Sequence, residues 1–182
     1  MFSIFDIFKV SIGPSSSHTM GPMIAAKHFR DLLINKDYDE DIDSIRITLF
    51  GSLAFTGLAH GSNKGIILGL QGYTPETIDS DKIESSISHV FKKNKIKIFN
   101  SGEISFNPLK DIIIDKNTKL KTHSNTMEIS ASINNKIIVS RTYYSIGGGF
   151  IRVKGERKKF AKSTVSPYEF NSCNELIEFC KR

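Results

Sequence analysis

The stretch MEISASINNKIIVSRTYYSI, Met127 to Ile146, decides the fold. Two arms rich in β-branched and aromatic residues flank Asn134-Asn135, and asparagine tolerates the left-handed backbone of a tight turn. The pattern predicts a β-hairpin. Working outward, GGGFIRV after the hairpin reads as another strand, and KIKIF, EISFN and DIII before it read as short ones. SIRITLFGS (Ser44 to Ser52) alternates Ile45, Ile47 and Leu49 up to Gly51, again a strand. Helical spacing appears after Pro22, through Met23, Ala26, Phe29, Leu32 and Leu33, and again from Lys82 to Lys92. The small, apolar run LAFTGLAHGSNKGIILGLQG predicts two helical pieces broken around His60-Gly61, and Thr74-Pro75-Glu76 a turn or helix start. The expectation is an α+β fold, a mostly antiparallel sheet with helices packed on it. Domain organisation follows: one domain over 1–153, then a polar linker and a short C-terminal helix over 154–182.

The 182 residues, 39% hydrophobic with 13 Phe and no Trp, can bury a real core. No run approaches the ~20 apolar residues of a membrane span. The first basic residue, Lys9, follows the apolar N-terminal stretch, opposite to a secretory signal. Phe2, Ile4, Ile7 and Phe8 read instead as an edge strand or short helix, and a cytoplasmic protein is expected. The net charge of +6 comes from scattered lysines without interleaved aromatics or a recognition-helix pattern. That argues against nucleic acid and for a small anionic substrate or an acidic partner surface.

The two cysteines, Cys173 and Cys180, are seven apart, on one face of a helix beside Leu176 and Ile177. Two thiols cannot hold a four-iron cluster and match no zinc motif, so buried, inert cysteines in a reducing compartment are expected and no metal ligand is assigned.

Polar chemistry gathers at element boundaries. SIGPSSSHTMGPM (Ser11 to Met23) sets three serines, His18 and Thr19 between two Gly-Pro breaks, just before a helix. This is either a capping loop, with Ser17 or Thr19 as N-cap, or hydroxyls and an imidazole converging on an anion at a helix start. His60 and His123 also sit beside small or hydroxyl residues, in Ala59-His60-Gly61-Ser62-Asn63 and Thr122-His123-Ser124-Asn125. Taken singly, His60 also reads as a core residue or helix cap and His123 as a surface-loop residue. His28 and His89 lie inside helical patterns and read as structural. Gly147-Gly148-Gly149 lacks the Lys-Ser or Lys-Thr of a phosphate loop, which favours a glycine bulge between strands.

Four ordered motifs, FDIFKVSIGPSSSHTMGPM, LFGSLAFTGLAHGSNKGI, HSNTM and YYSIGGGFI, resemble the N-terminal beta portion of bacterial iron–sulfur L-serine dehydratases. The resemblance implies a fold similar to the allosteric substrate-binding domain of some phosphoglycerate dehydrogenases. It implies the conversion of L-serine to pyruvate and ammonia, in amino-acid catabolism and gluconeogenesis. It also implies a [4Fe–4S] cluster held by a separate alpha portion and not by this chain, with L-serine and that alpha portion as partners, and homo-oligomerisation. By the same resemblance His60 and His123 are the catalytic candidates. Ser15, Ser16, Ser17, His18, Thr19, Gly61, Ser124 and Asn125 are the substrate-binding ones. Leu58, Ala59, Ser62, Asn63 and Thr126 depart from the family pattern, which has Lys, Gly, Thr, Asp and Gly there. The alternative is a non-catalytic module that binds L-serine.

Overall fold

The computed structural model describes residues 10–36, 42–99, 102–156 and 170–181. A π-helical turn (Ser16–Met20) runs into α1 (Gly21–Ile34). Then follow β1 (Ser44–Gly51), α2 (Ser52–Thr56), α3 (Ser62–Leu70), α4 (Ser80–Lys93), β2 (Lys95–Lys97) and β3 (Glu103–Ser105). The chain continues through α5 (Pro108–Asp111), β4 (Ile112–Asp115), β5 (Asn125–Ile133), β6 (Lys136–Gly147), β7 (Phe150–Val153) and α6 (Cys173–Cys180).

The hairpin forms as its residues dictate. Ile133 pairs with Lys136, and Asn134 and Asn135 take φ +50° and +64°, the left-handed pair of a type I′ turn. The sheet runs β2-β3-β1-β5-β6-β7, with β4 also pairing β1. β1–β5, β5–β6, β6–β7 and β2–β3 are antiparallel, while β3 and β4 lie parallel to β1. The expectation of an α+β fold on a mostly antiparallel sheet holds, and the sheet is mixed through the two parallel pairings of β1.

Registered neighbours Leu49, Met127, Tyr143 and Val153 form one buried row across the sheet, and Ile47 and Ile129 begin the next. Against this face α1 buries Met23, Ala26, Phe29 and Leu33, and α3 buries Ile66, Ile67 and Leu70. Each fully buried side chain of this size stabilises the fold by about 1.5–3 kcal/mol. α1 and α3 approach closely because α3 carries Gly65 and Gly69 where they meet. A Cβ on Gly69 would run into the Met23 carbonyl oxygen of α1, and one on Gly65 would lie 2.5 Å from the Thr19 carbonyl oxygen of the preceding turn. The break around His60-Gly61 is real: α2 and α3 are separate helices, and Gly61, at φ +77°, caps α3.

Three expectations are revised or left aside. The N-cap is Ser15, whose Oγ accepts the His18 N–H, and not Ser17 or Thr19: a π-helical turn precedes α1 and sets the cap upstream. Cys173 and Cys180 do lie on one helix, but both are exposed rather than buried. The strand or helix read at Phe2 to Phe8, and the linker over 157–169, lie outside the described residues.

Candidate functional site

β1 and β4 end, and β5 and β7 begin, at the same edge of the sheet, and the polar motifs meet there. The Ser16–Met20 turn is held from three sides. Thr19 Oγ1 donates to the His60 carbonyl and Ser62 Oγ to the His18 carbonyl, which locks the turn to the α2–α3 connection. Ser145 Oγ, on β6, donates to the Ser17 carbonyl at 2.7 Å. The Gly148 N–H donates to Ser16 Oγ at 3.3 Å, and Gly147, Gly148 and Gly149 all have positive φ, so the glycine run is a tight turn between β6 and β7.

These contacts fix two imidazoles beside each other. The ring centroids of His18 and His60 are 5.2 Å apart, with the ring planes tilted by 48°. His18 is pinned at both nitrogens, Nδ1 2.8 Å from Ser17 Oγ and Nε2 3.0 Å from Ser52 Oγ. Burial first, then the charge of His60, hold its pKa below the ordinary imidazole value, and a hydrogen bond at Ser52 opposes this. His60 Nδ1 lies 2.8 Å from the Thr56 carbonyl. A carbonyl only accepts, so Nδ1 carries the proton and the neutral ring presents the lone pair of Nε2.

The third motif joins through backbone. The Ser52 N–H donates to the Ser124 carbonyl at 2.8 Å, so Ser52 touches both His18 and the 123–125 loop. Within that loop His123 Nδ1 accepts the Asn125 N–H at 3.1 Å, and its ring centroid is 6.1 Å from that of Tyr144. Asn125 Nδ2 donates to the Ser145 carbonyl at 3.4 Å, while Asn125 Oδ1 is buried with no partner among the described residues.

A pocket of about 320 Å³ opens beside His60, at the small end of the usual ~300–1,000 Å³ range for ligand pockets. Thr19, His60 and Gly61 line it, together with Ile12, Asn63 and Lys64. The other candidates do not line it. Ser15, Ser16, Ser17 and His18 build the turn behind Thr19, and His123, Ser124 and Asn125 lie beyond Ser52.

The departures from the family pattern also find places. Ser62 supplies a hydroxyl where threonine is usual, and it bonds the His18 carbonyl. Thr126 Oγ1 donates to the His123 carbonyl at 2.6 Å and ties the loop. Leu58 lines the pocket where the pattern has lysine; Lys64 lines it too, with its Nζ paired to Glu84 Oε1 at 2.7 Å. Sequence reasoning does not single out Lys64, Ser52 or Ser145. The one signal for Ser52 is a glycine and a hydroxyl between a strand and a helix.

His28 and His89 do not line this pocket. His28 Nδ1 lies 3.1 Å from the buried Tyr143 hydroxyl, whose pKa burial pushes up, and His89 Nε2 lies 3.1 Å from Glu103. Among the described residues no three His, Cys, Asp or Glu side chains gather as a metal site. Cys173 and Cys180 stand exposed on α6, so the described donor set does not fit a four-iron cluster. No helix among these residues is long and apolar enough to cross a membrane.

The family model of the serine dehydratase beta chain matches residues 3–156. L-serine dehydratase 1 of Escherichia coli (strain K12) is 40% identical over 182 residues, covering 99% of this chain and 40% of the relative. The L-serine dehydratase of Haemophilus influenzae is 41% identical over 184 residues, with 99% and 40% covered. That of Helicobacter pylori (strain J99) is 37% identical over 185 residues, with 100% and 40% covered. The chain thus spans about two fifths of the length of these relatives. With its motifs assembled at one sheet edge and this similarity along nearly its whole length, the chain belongs to the serine dehydratase beta-chain family.

Proposed function

We propose that this chain is the beta portion of an L-serine ammonia-lyase, converting L-serine to pyruvate and ammonia with an alpha portion as partner. One observation carries the reading. Segments far apart in sequence are tied together by their own polar groups, and they set a pair of imidazoles beside a small pocket. The names of the relatives supply the substrate.

His60 is the base in this reading. Its Nε2 takes the α-proton of serine, the β-hydroxyl leaves, and the resulting aminoacrylate tautomerises and is hydrolysed to pyruvate and ammonia. Thr19, Gly61 and Lys64 line the cavity that receives the amino acid. Ser15, Ser16 and Ser17 shape the turn that carries His18 and Thr19. The loop of His123, Ser124 and Asn125 closes the side beyond Ser52. Because the described donor set of this chain does not fit a [4Fe–4S] cluster, we assign any cluster to the alpha portion, and the roles of His60, Thr19, Gly61 and Lys64 do not depend on it.

The test compares this chain, the alpha portion of E. coli L-serine dehydratase 1, and the two fused in one polypeptide, prepared anaerobically. Pyruvate release from L-serine is expected only from the fused protein. Calorimetric binding of L-serine by this chain alone, with no pyruvate from the fused protein, would overturn the enzyme reading in favour of a serine-binding module.

A further inference from the structure

α6 is built to be a helix. Ser172 Oγ accepts the Glu175 N–H at 3.2 Å, and Glu175 Oε2 accepts the Asn171 N–H at 2.7 Å, so each side chain caps the other's backbone neighbourhood. Cys173, Leu176, Ile177 and Cys180 fall at i, i+3, i+4 and i+7, a single apolar stripe. Yet α6 buries no residue, and Leu176 and Ile177 are 38% and 50% exposed. Eight residues are too few for a helix to hold its own in water, where isolated helices shorter than ~12–15 residues are marginal. A surface that covers the stripe would stabilise it.

The comparisons point to that surface. The match to the beta-chain family ends at residue 156, short of α6. Similarity to the longer relatives nevertheless continues across 99–100% of this chain, so α6 is shared with them. The larger part of each of those relatives lies outside the match. A segment outside the beta family, aligned with the longer proteins and apolar on one part-exposed face, fits the packing of that larger part.

We infer that α6 docks through Cys173, Leu176, Ile177 and Cys180 into an apolar groove of the alpha portion, as an element of that portion's core and not a tail of the beta fold. This rests on the proposal that the chain works with an alpha portion. Lys181 and Glu178, paired at 2.9 Å and exposed, would stay at the rim.

The only two cysteines of the chain are both on α6, so thiol labelling reads this contact directly. The experiment fuses this chain to the part of E. coli L-serine dehydratase 1 outside the match, treats it with a maleimide, and follows the Cys173 and Cys180 peptides by mass spectrometry. Both thiols should react at least tenfold more slowly in the fused protein than in this chain alone. The double substitution Leu176→Asp and Ile177→Asp should restore their reactivity while leaving the melting temperature of the chain alone unchanged. Equal reactivity in both proteins would overturn the inference. So would protection of the chain alone that appears with dimerisation in light scattering, since a second copy would then be the occupant. Pyruvate release is measured on the same samples: pyruvate with reactive thiols removes the docking and keeps the enzyme, while protected thiols without pyruvate keep the docking and count against the enzyme.

Discussion

β6 has a tight turn at each end, and the two turns share one backbone shape but not one composition. Asn134 and Asn135 enter it with φ +50° and +64°, and Gly148 and Gly149 leave it with φ +60° and +75°. At the asparagine end the requirements are local: left-handed backbone, and a carboxylate of Asp43 that accepts the Asn134 N–H. At the glycine end a second demand is added. A Cβ on Gly149 would lie 3.1 Å from Met20 Cε, and the Gly148 N–H bonds Ser16 Oγ. Glycine there answers both the turn and the close approach of the Ser16–Met20 turn. One end of the sheet is a connection, and the other is a site assembled against it.

If that division is right, substitutions at the site end change catalysis, while those at the far end change stability at most. The largest effect is expected for His60→Ala in the fused enzyme, a loss of about 10²–10⁴ in kcat, the usual worth of a general base. Its melting temperature should stay within a few degrees of the parent. His28→Ala, which loses the contact with Tyr143, should shift the melt and leave kcat alone. Near-normal kcat for His60→Ala in steady-state assays with L-serine would strip His60 of its role.

Next in size is the packing under the site. Gly65→Ala places a methyl group 2.5 Å from the Thr19 carbonyl oxygen, a backbone atom that cannot move without shifting the turn. Overpacking of this kind costs about 1–3 kcal/mol, which at roughly 2–4 °C per kcal/mol for a chain of this size lowers the melting temperature measurably in calorimetry. An unchanged melt would show that the Ser16–Met20 turn and α3 are less tightly seated than described. The two turns can then be set against each other. Gly149→Asn keeps an acceptable backbone but meets Met20 and should cost about 1 kcal/mol, whereas Asn135→Gly meets nothing and should stay below that. Equal melts for the two variants would erase the contrast.

Strands, helices and the Asn134-Asn135 turn are legible in the sequence because periodicity and turn chemistry are local. What depends on distant partners is not. Ser17 and Thr19 look like caps, but Thr19 Oγ1 is engaged by the His60 carbonyl and Ser17 Oγ by the His18 ring, so capping falls to Ser15. Cys173 and Cys180 share a face as their spacing says, yet spacing names a face and not what covers it. Of the site, the histidines and serines stand out as clusters. Ser52, Ser145 and Lys64 do not, because each is a single polar residue whose meaning lies in one contact across the fold. The parallel pairing of β3 and β4 with β1 has no signature in strands of three and four residues.

Ser52 offers the next, smaller effect. Its hydroxyl lies 3.0 Å from His18 Nε2, and a hydrogen bond of this kind contributes about 1 kcal/mol. Ser52→Ala should therefore lower kcat/KM by roughly fivefold, with Ser52→Thr recovering most of the loss. A full loss in both variants, accompanied by a lowered melt, would mean that Ser52 serves the fold through its backbone bond to Ser124 rather than the imidazole.

The smallest expected effect is a pH dependence of stability rooted at the site end. In the folded chain His18 has a pKa lowered by burial and by His60, whereas in the unfolded chain it titrates near the ordinary value of about 6.5. Below that value the unfolded state binds the proton more readily, so stability falls as the pH drops from about 6.5 toward the lower folded value, and this loss is complete below it. Above about 6.5 both states are neutral at His18 and the contribution is flat. Melting temperatures of the parent and of His18→Gln, taken from pH 8 down to pH 5, isolate it, since the two proteins differ in no other ionisable group. The parent should lose more stability across that window than the variant. His60→Ala should shrink the difference without abolishing it, because burial is the larger cause and the charge of His60 the second. Parallel melting curves for parent and His18→Gln would show that the ring is as free to protonate in the fold as outside it. The imidazole pair would then lose the electrostatic character that separates this end of the sheet from the other.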